Sequence, residues 1–127
     1  MQNVESGKVS AVLEDLFFTV KINESAKRAG LPIEFLKSET DVLEKAKAKP
    51  SLILIDLNYG GIDPLRLVAR LKSEEATRPV PVVGYLSHVQ GELKQQAHAA
   101  GCDMVMARSA FSQNLLQILK RHSGAPR

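Results

Sequence analysis

A short apolar run in the middle of the chain constrains the fold more strongly than any other feature of the sequence. Residues 52–55 alternate leucine and isoleucine, and Asp56 follows them directly. A run of this length and composition predicts a strand that is buried on both faces, as in parallel sheets covered by helices. Ligands of open α/β sheets bind at the carboxyl ends of the strands, so Asp56 is a candidate for the chemistry of the protein.

Strand and helix patterns alternate along the chain, with five of each. We predict strands over 8–13, 33–37, 52–55, 80–85 and 103–107. We predict helices over 16–29, 39–48 and 111–121. A further helix starts at Asp63-Pro64, and another runs from a Ser87–Gln90 capping box towards Gly101. Short connections between buried strands imply an α/β fold, a parallel sheet with helices on both faces. We therefore expect one domain over 1–127, with its core at about 8–122 and no output domain.

Composition and charge disfavour several classes of function. The 17 Lys and Arg residues are scattered and barely exceed the 14 Asp and Glu residues, which argues against nucleic-acid binding. The single cysteine, Cys102, cannot form an internal disulfide, which favours a reducing compartment, and we predict a cytoplasmic protein. No apolar stretch approaches the length of a membrane span, so no membrane partner is expected.

An acidic pair, Glu14-Asp15, closes the apolar run that precedes the first helix. The carboxyl ends of parallel strands meet at one edge of a sheet, so this pair is expected near Asp56. Carboxylate oxygens are the ligands that Mg²⁺ prefers, and a cation also offsets the charge of transferred phosphoryl oxygens. Two strands that end in carboxylates therefore predict a metal or phosphoryl site.

With these features in order, the chain resembles the receiver domain of two-component response regulators over roughly residues 8–122. The matching positions are the Glu14-Asp15 pair after the first strand, Gly30 closing the first helix, Asp56 ending the third strand and Gly101 before the fifth. The resemblance implies a flavodoxin-like, doubly wound, five-stranded parallel sheet in the order 2-1-3-4-5. It also implies that Asp56 is the phosphoacceptor. By the same resemblance, Glu14, Asp15, Asp56 and the backbone carbonyl of Asn58 bind Mg²⁺.

Three positions depart from the pattern of the receiver family. A receiver ends its fourth strand with a Thr or Ser that contacts the phosphoryl group, whereas this chain offers Leu86 or, with a one-residue bulge, Ser87. Ser87 with Gln90 also forms a capping-box pattern for the next helix, and this role is slightly favoured for Ser87. Arg108 stands where receivers carry a lysine, and Val105 where they carry an aromatic switch residue. Ser87 and Arg108 are therefore the candidate phosphoryl contacts.

The resemblance implies a stand-alone signalling domain that is not an enzyme beyond phosphorylation and dephosphorylation of Asp56. Its expected partners are a histidine kinase or phosphotransfer protein, a separate effector that binds the surface over 89–121, and a second copy of the chain. The alternative is a phosphorylation-independent pseudo-receiver that acts as a scaffold or dimerisation module, with Asp56 paired to Arg108. A flavodoxin-like enzyme or nucleotide binder is disfavoured because the sequence has no Gly-rich phosphate loop. Of the adjacent Phe17 and Phe18, one is expected to point inward and one outward.

Overall fold

The computed structural model describes residues 8–87 and 91–122. Strands and helices alternate in the order β1 (Val9–Val12), α1 (Leu16–Ala29), β2 (Ile33–Leu36), α2 (Glu39–Ala46), β3 (Leu52–Asp56), α3 (Pro64–Ser73), β4 (Val82–Leu86), α4 (Gly91–Ala100), β5 (Met104–Ala107) and α5 (Arg108–Arg121). The strands form one sheet in the order β2-β1-β3-β4-β5, and every neighbouring pair is parallel. The predicted fold class and strand order are confirmed.

Side-chain caps fix the helix starts that the sequence predicts. The carboxylate of Asp15 accepts a hydrogen bond from the Phe18 amide (3.2 Å) at the start of α1. Asp63 caps α3 in the same way, with Pro64 in the first helical turn. Gly30, with φ of 73°, closes α1 in the left-handed conformation that glycine adopts without strain.

Three elements have an end two or more residues from the predicted one, and the first is α2, which ends at Ala46 rather than at residue 48. Helix α5 begins at Arg108 rather than Phe111. No side-chain cap marks this start, because the residue before it is Ala107, so the sequence carries no signal for it. Strand β4 begins two residues later than predicted, at Val82. The capping interaction predicted between Ser87 and Gln90 lies outside the described residues.

The sheet separates two apolar layers. Alternate residues of β3 point to opposite faces: Leu52 and Leu54 pack with α1 and α5, whereas Ile53 and Ile55 pack with α2, α3 and α4. The whole of β3 is buried, as predicted. The same alternation places Asp56 on the side of α1 and α5.

At the amino ends of the strands, opposite Asp56, Lys72 links α3 to the starts of β4 and β5. Its ammonium donates to the carbonyls of Arg78 (3.0 Å) and Val80 (2.8 Å) and to the carboxylate of Asp103 (2.9 Å). Gly101 has φ of 120°, and a Cβ there would lie 2.6 Å from Cγ of Lys72, so this position requires glycine.

Cys102 is a buried free thiol. Burial, together with the negative charge of Asp103, raises the pKa of Cys102 to about 11. The thiol is therefore protonated and a poor nucleophile at neutral pH. None of the helices in the described parts of the chain has the length and apolar character that a membrane span requires.

Candidate functional site

The candidate site lies at the carboxyl edge of the sheet, where β3 ends in Asp56. The Asp56 side chain is only 6% exposed. In the neighbouring strand, Tyr85 is its register partner. Asp15 starts α1 and Arg108 starts α5 at the same edge, and the charges of both act on Asp56. The structure thus brings together three of the predicted site residues, Asp15, Asp56 and Arg108.

Asp56 is a carboxyl group held in an environment that disfavours its charge. Burial raises the pKa of Asp56 above its ordinary value of 3.8. A backbone hydrogen bond from the Asn58 amide to Oδ1 (2.9 Å) and the positive charge of Arg108 lower this pKa, while the negative charge of Asp15 raises it. The net result is a raised pKa, so the folded protein stabilises the carboxylate less well than water does.

The predicted metal ligands are not all drawn together. Glu14 is exposed, and the side chain of Asp15 caps α1. Across residues 8–87 and 91–122, no group of three or more His, Cys, Asp and Glu residues is placed to hold a metal ion. The carboxylates of Asp15 and Asp56 interact through their charges, and the backbone of Asn58 is hydrogen-bonded to Asp56. Two carboxylates and a carbonyl fit Mg²⁺, which keeps several of its waters in proteins.

Arg108 lies above an aromatic ring rather than against a carboxylate. Its guanidinium carbon is 5.2 Å from the centroid of the Phe18 ring, a cation–π contact. Its Nε is buried and makes no hydrogen bond to the described residues. Among those residues, the ion pairs do not include one between Arg108 and Asp56. The predicted pairing of the two is therefore corrected: Arg108 acts on Asp56 through its field, and its hydrogen-bonding capacity is not spent on the carboxylate.

Leu86 and Ser87 lie in different surroundings at the end of β4. Leu86 is 2% exposed and belongs to the apolar layer of α2, α3 and α4, together with Val105. Ser87 follows the strand, half-buried, and its amide donates to Oδ1 of Asn58 (2.6 Å). The side-chain hydroxyl that follows β4 is thus that of Ser87, linked through Asn58 to the Asp56 loop. His88, another residue near the site in sequence, lies outside the described residues.

Tyr59 holds the loop that follows Asp56. Its side chain is 8% exposed, and its hydroxyl donates to the carbonyl of Lys37 (3.2 Å), beside the start of α2. A Cβ at Gly61 would lie 2.5 Å from this ring, so glycine allows the loop to fold back over Tyr59. The bulky residue therefore anchors the loop to the neighbouring layer.

An aromatic cluster beneath Asp56 was missed by the sequence analysis. Tyr85 is fully buried and stacks on Phe111 of α5, with ring centroids 4.4 Å apart and planes 14° apart. The edge of Phe18 meets Tyr85 at 5.3 Å. Burial raises the pKa of Tyr85 far above its ordinary value, and the charge of Asp56 adds to the effect. Strand alternation could have identified Tyr85, because the register partner of Asp56 lies on the same face of the sheet as Asp56.

The Tyr85 hydroxyl makes no hydrogen bond to any described residue, although it is buried. An unsatisfied buried hydroxyl destabilises the folded state, so Tyr85→Phe is expected to raise the free energy of unfolding by about 1 kcal/mol. Urea denaturation would measure the change. Tyr59→Phe is the matched control: it removes a hydroxyl that is hydrogen-bonded and is expected to lower the free energy of unfolding by about 1 kcal/mol. A destabilised Tyr85→Phe would show that the hydroxyl is satisfied after all.

Solved structures share this fold over most of the chain. The chemotaxis response regulator CheY4 of Vibrio cholerae matches with a TM-score of 0.78 and 22% identity, over 91% of this chain and 98% of that one. The receiver domain of the Pseudomonas aeruginosa sensor histidine kinase PA1611, with magnesium in its active-site cleft, matches with a TM-score of 0.78 and 18% identity. The match covers 94% of this chain and 99% of that one. The phosphorylated cyanobacterial phytochrome response regulator RcpA matches with a TM-score of 0.75 and 21% identity, over 91% of this chain and 89% of that one. No family model and no curated protein matches the sequence.

These likenesses, with the observed strand order, define the fold of the chain as that of response-regulator receiver domains. The resemblance inferred from the acidic pair, Asp56 and the two glycines is confirmed at the level of fold.

Proposed function

We propose that this chain is a receiver-like signalling domain whose Asp56 accepts a phosphoryl group. The observation that carries the proposal is the position of Asp56: a carboxylate at the carboxyl end of the central strand, where the charges of Asp15 and of Arg108 both act on it. RcpA, which shares the fold, is described as phosphorylated.

In the proposed reaction, a carboxylate oxygen of Asp56 forms a bond to phosphorus. The bond between phosphorus and the donor atom breaks, and its electron pair leaves with the donor. The negative charge on the three peripheral oxygens needs compensation, which the positive charge of Arg108 can provide, and its Nε has no hydrogen-bond partner among the described residues. The acyl phosphate carries about −1.5 to −2 charges at neutral pH, and because the carboxylate loses its own charge when it forms, the site gains about −0.5 to −1. This charge would draw Arg108 away from the Phe18 ring and would act on the Asn58–Ser87 connection.

A divalent cation, Mg²⁺ in the proposal, belongs to this site. Asp15, Asp56 and the carbonyl of Asn58 would hold it, with Glu14 as an exposed carboxylate next to Asp15. When bound, the ion neutralises charge on the transferred oxygens. The raised pKa of Asp56 supports this assignment, because a carboxylate destabilised by burial and by a like charge gains from a cation. PA1611, which shares the fold, is described with magnesium in its active-site cleft.

The proposed partners follow from the same role. A histidine kinase or phosphotransfer protein would supply the phosphoryl group, and a separate effector would bind the surface of α4, β5 and α5, which meets the site at Ser87 and Arg108. A reducing, cytoplasmic location is consistent with a buried free thiol. Apart from chemistry at Asp56, we propose no enzymatic activity.

A second function, a phosphorylation-independent pseudo-receiver, is supported by the end of β4 and by β5. Leu86 and Val105 are aliphatic and packed in the core, so neither offers a hydroxyl or a mobile aromatic ring to report on the site. In this alternative the domain binds its partners in one conformation, as a scaffold or dimerisation module.

An NMR titration of the ¹⁵N-labelled protein with beryllofluoride and Mg²⁺ distinguishes the two proposed functions. Beryllofluoride is an analogue of the phosphoryl group. If Asp56 is a phosphoacceptor, the amide signals of Asn58, Ser87 and Arg108 shift to a second, saturable position. Asp56→Asn is expected to abolish these shifts, whereas Asp63→Asn, which changes an exposed aspartate of α3, leaves them intact. Absence of shifts in the wild type would favour the pseudo-receiver.

A further inference from the structure

One face of α1 carries large apolar side chains into solvent. The exposed fractions of Leu16, Phe17 and Val20 are 78%, 72% and 59%. The neighbouring Phe18 is buried, so the predicted split of the two phenylalanines is confirmed. Apolar side chains grouped on a solvated helix face mark an interaction surface more often than scattered ones do.

A groove of about 480 Å³ runs along this face, lined by Phe17, Val20, Lys21, Glu24, Ser25 and Arg28. Its three charged members form no ion pair with the described residues, in contrast to Glu39, which binds Arg66 and Arg70 at 2.7 Å each. The groove therefore combines apolar area with charges of both signs that the fold leaves for a partner.

The arrangement of these six residues is self-complementary. They form three pairs, 17 with 28, 20 with 25 and 21 with 24, and each pair is centred midway between residues 22 and 23. A two-fold axis at that level would bring every member of the groove opposite its counterpart on an antiparallel second helix. This is the requirement of an isologous interface, in which residue i contacts residue j and j contacts i.

We propose that the α1 face, defined by these six residues, is a homodimer interface and that its occupant is α1 of a second copy of this chain. Lys21 would face Glu24 of the partner subunit, an opposite-charge contact that the symmetry repeats twice. Phe17 would face Arg28 of the partner subunit in the cation–π geometry that Arg108 and Phe18 already adopt within the chain. Val20 would pack at Ser25 of the partner subunit, which is small enough to admit it.

The complementary charges favour a second copy over an unrelated protein, because the groove supplies both members of each charged contact. A single 14-residue helix per subunit spans about 21 Å, which suits a weak dimer. We expect a dissociation constant on the order of 100 μM. The proposal is independent of phosphorylation, since none of the six residues belongs to the candidate site.

Sedimentation equilibrium of the full chain, from micromolar to millimolar concentration, tests the interface through charge reversal. Glu24→Lys and Lys21→Glu each place like charges opposite one another twice, and each is expected to raise the dissociation constant at least about 10-fold. The double variant Lys21→Glu/Glu24→Lys restores opposite charges and is expected within about 3-fold of the wild type. Glu75→Lys, which makes the same charge change at an exposed residue far along the chain, is the control and leaves the constant unchanged.

Rescue by the double variant cannot arise from a loss of folding and therefore identifies the α1 face. A protein that remains monomeric at millimolar concentration would overturn the proposal and would leave this face to a different protein. A dimer that Glu24→Lys does not weaken would overturn it as well, because the contact would then lie elsewhere.

Discussion

Phe111→Ala is expected to lower the free energy of unfolding by about 3–5 kcal/mol, the range for truncating a fully buried phenylalanine. Phe111 is inaccessible to solvent, stacks on Tyr85 and meets the edge of Phe18 with ring centroids 6.1 Å apart. Removing its ring leaves a cavity between α1, α5 and β4 that rigid elements cannot close. Because the protein as a whole has a stability of about 5–15 kcal/mol, this loss brings the variant close to unfolding.

The measurement is urea denaturation at a dilution at which the chain is monomeric. Phe17→Ala is the control, since it removes the same ring from a position that is 72% exposed and is expected to change stability by less than about 0.5 kcal/mol. Equal losses in the two variants would contradict the prediction, because burial of the Phe111 ring would then add nothing to the free energy of unfolding. The cluster also fixes the first turn of α5, so Phe111→Ala should change the amide signal of Arg108 before global unfolding.

The sequence predicts the position of Asp56 well because two simple rules converge there. A run of leucine and isoleucine must be buried on both faces, and a buried parallel strand must end at the edge where ligands bind. The structure confirms both the strand and the sheet order. Asp15 is predicted as well, because it lies in the short connection between the first strand and the first helix, at the same end of the sheet as Asp56.

The environment of Asp56 could not be predicted to the same degree, because it depends on side-chain direction over long sequence separations. From its charge alone, Arg108 is expected to pair with a carboxylate. Its guanidinium instead lies over the ring of Phe18, ninety residues earlier in the chain. Tyr85 reads as one more apolar strand residue, and only the register of β3 and β4 shows that its hydroxyl lies near Asp56. Contacts of this kind follow from packing rather than from local pattern.

The difference between Leu86 and Ser87 shows the same limit at the scale of one residue. A shift of one position along a strand moves a side chain to the opposite face, so the candidate phosphoryl contact changes with the register. The predicted strand ended at Tyr85, whereas β4 continues to Leu86, whose side chain enters the core. Ser87 is thereby placed beyond the strand, beside Asn58.

Asp56→Asn is expected to raise the free energy of unfolding at neutral pH, on the order of 2 kcal/mol for removal of a buried and incompletely compensated charge. Burial raises the pKa of Asp56 in the folded state, even with Arg108 and the Asn58 amide opposing the change. The asparagine side chain can still accept the hydrogen bond from Asn58 through its Oδ1. The variant therefore keeps the local geometry and loses the destabilised charge.

The raised pKa of Asp56 determines how the stability gained in Asp56→Asn changes with pH. Above the ordinary pKa of 3.8, the unfolded chain ionises Asp56 freely while the folded protein retains the proton up to its raised pKa. The folded state then binds more protons, so the contribution of Asp56 to stability falls as pH rises through that window. Below 3.8 the carboxyl is protonated in both states and the penalty is absent. The advantage of Asp56→Asn should therefore be full at neutral pH and shrink towards zero on acidification.

Urea denaturation from acidic to neutral pH would measure this difference against Asp63→Asn. Asp63 is exposed and caps α3, and asparagine caps as well as aspartate, so that variant should differ little from the wild type at any pH. A gain that grew on acidification would mean that the pKa of Asp56 is lowered, and the raised pKa that supports cation binding would be wrong. A gain confined to neutral pH would identify Asp56 as a carboxylate that the fold holds at a cost in stability.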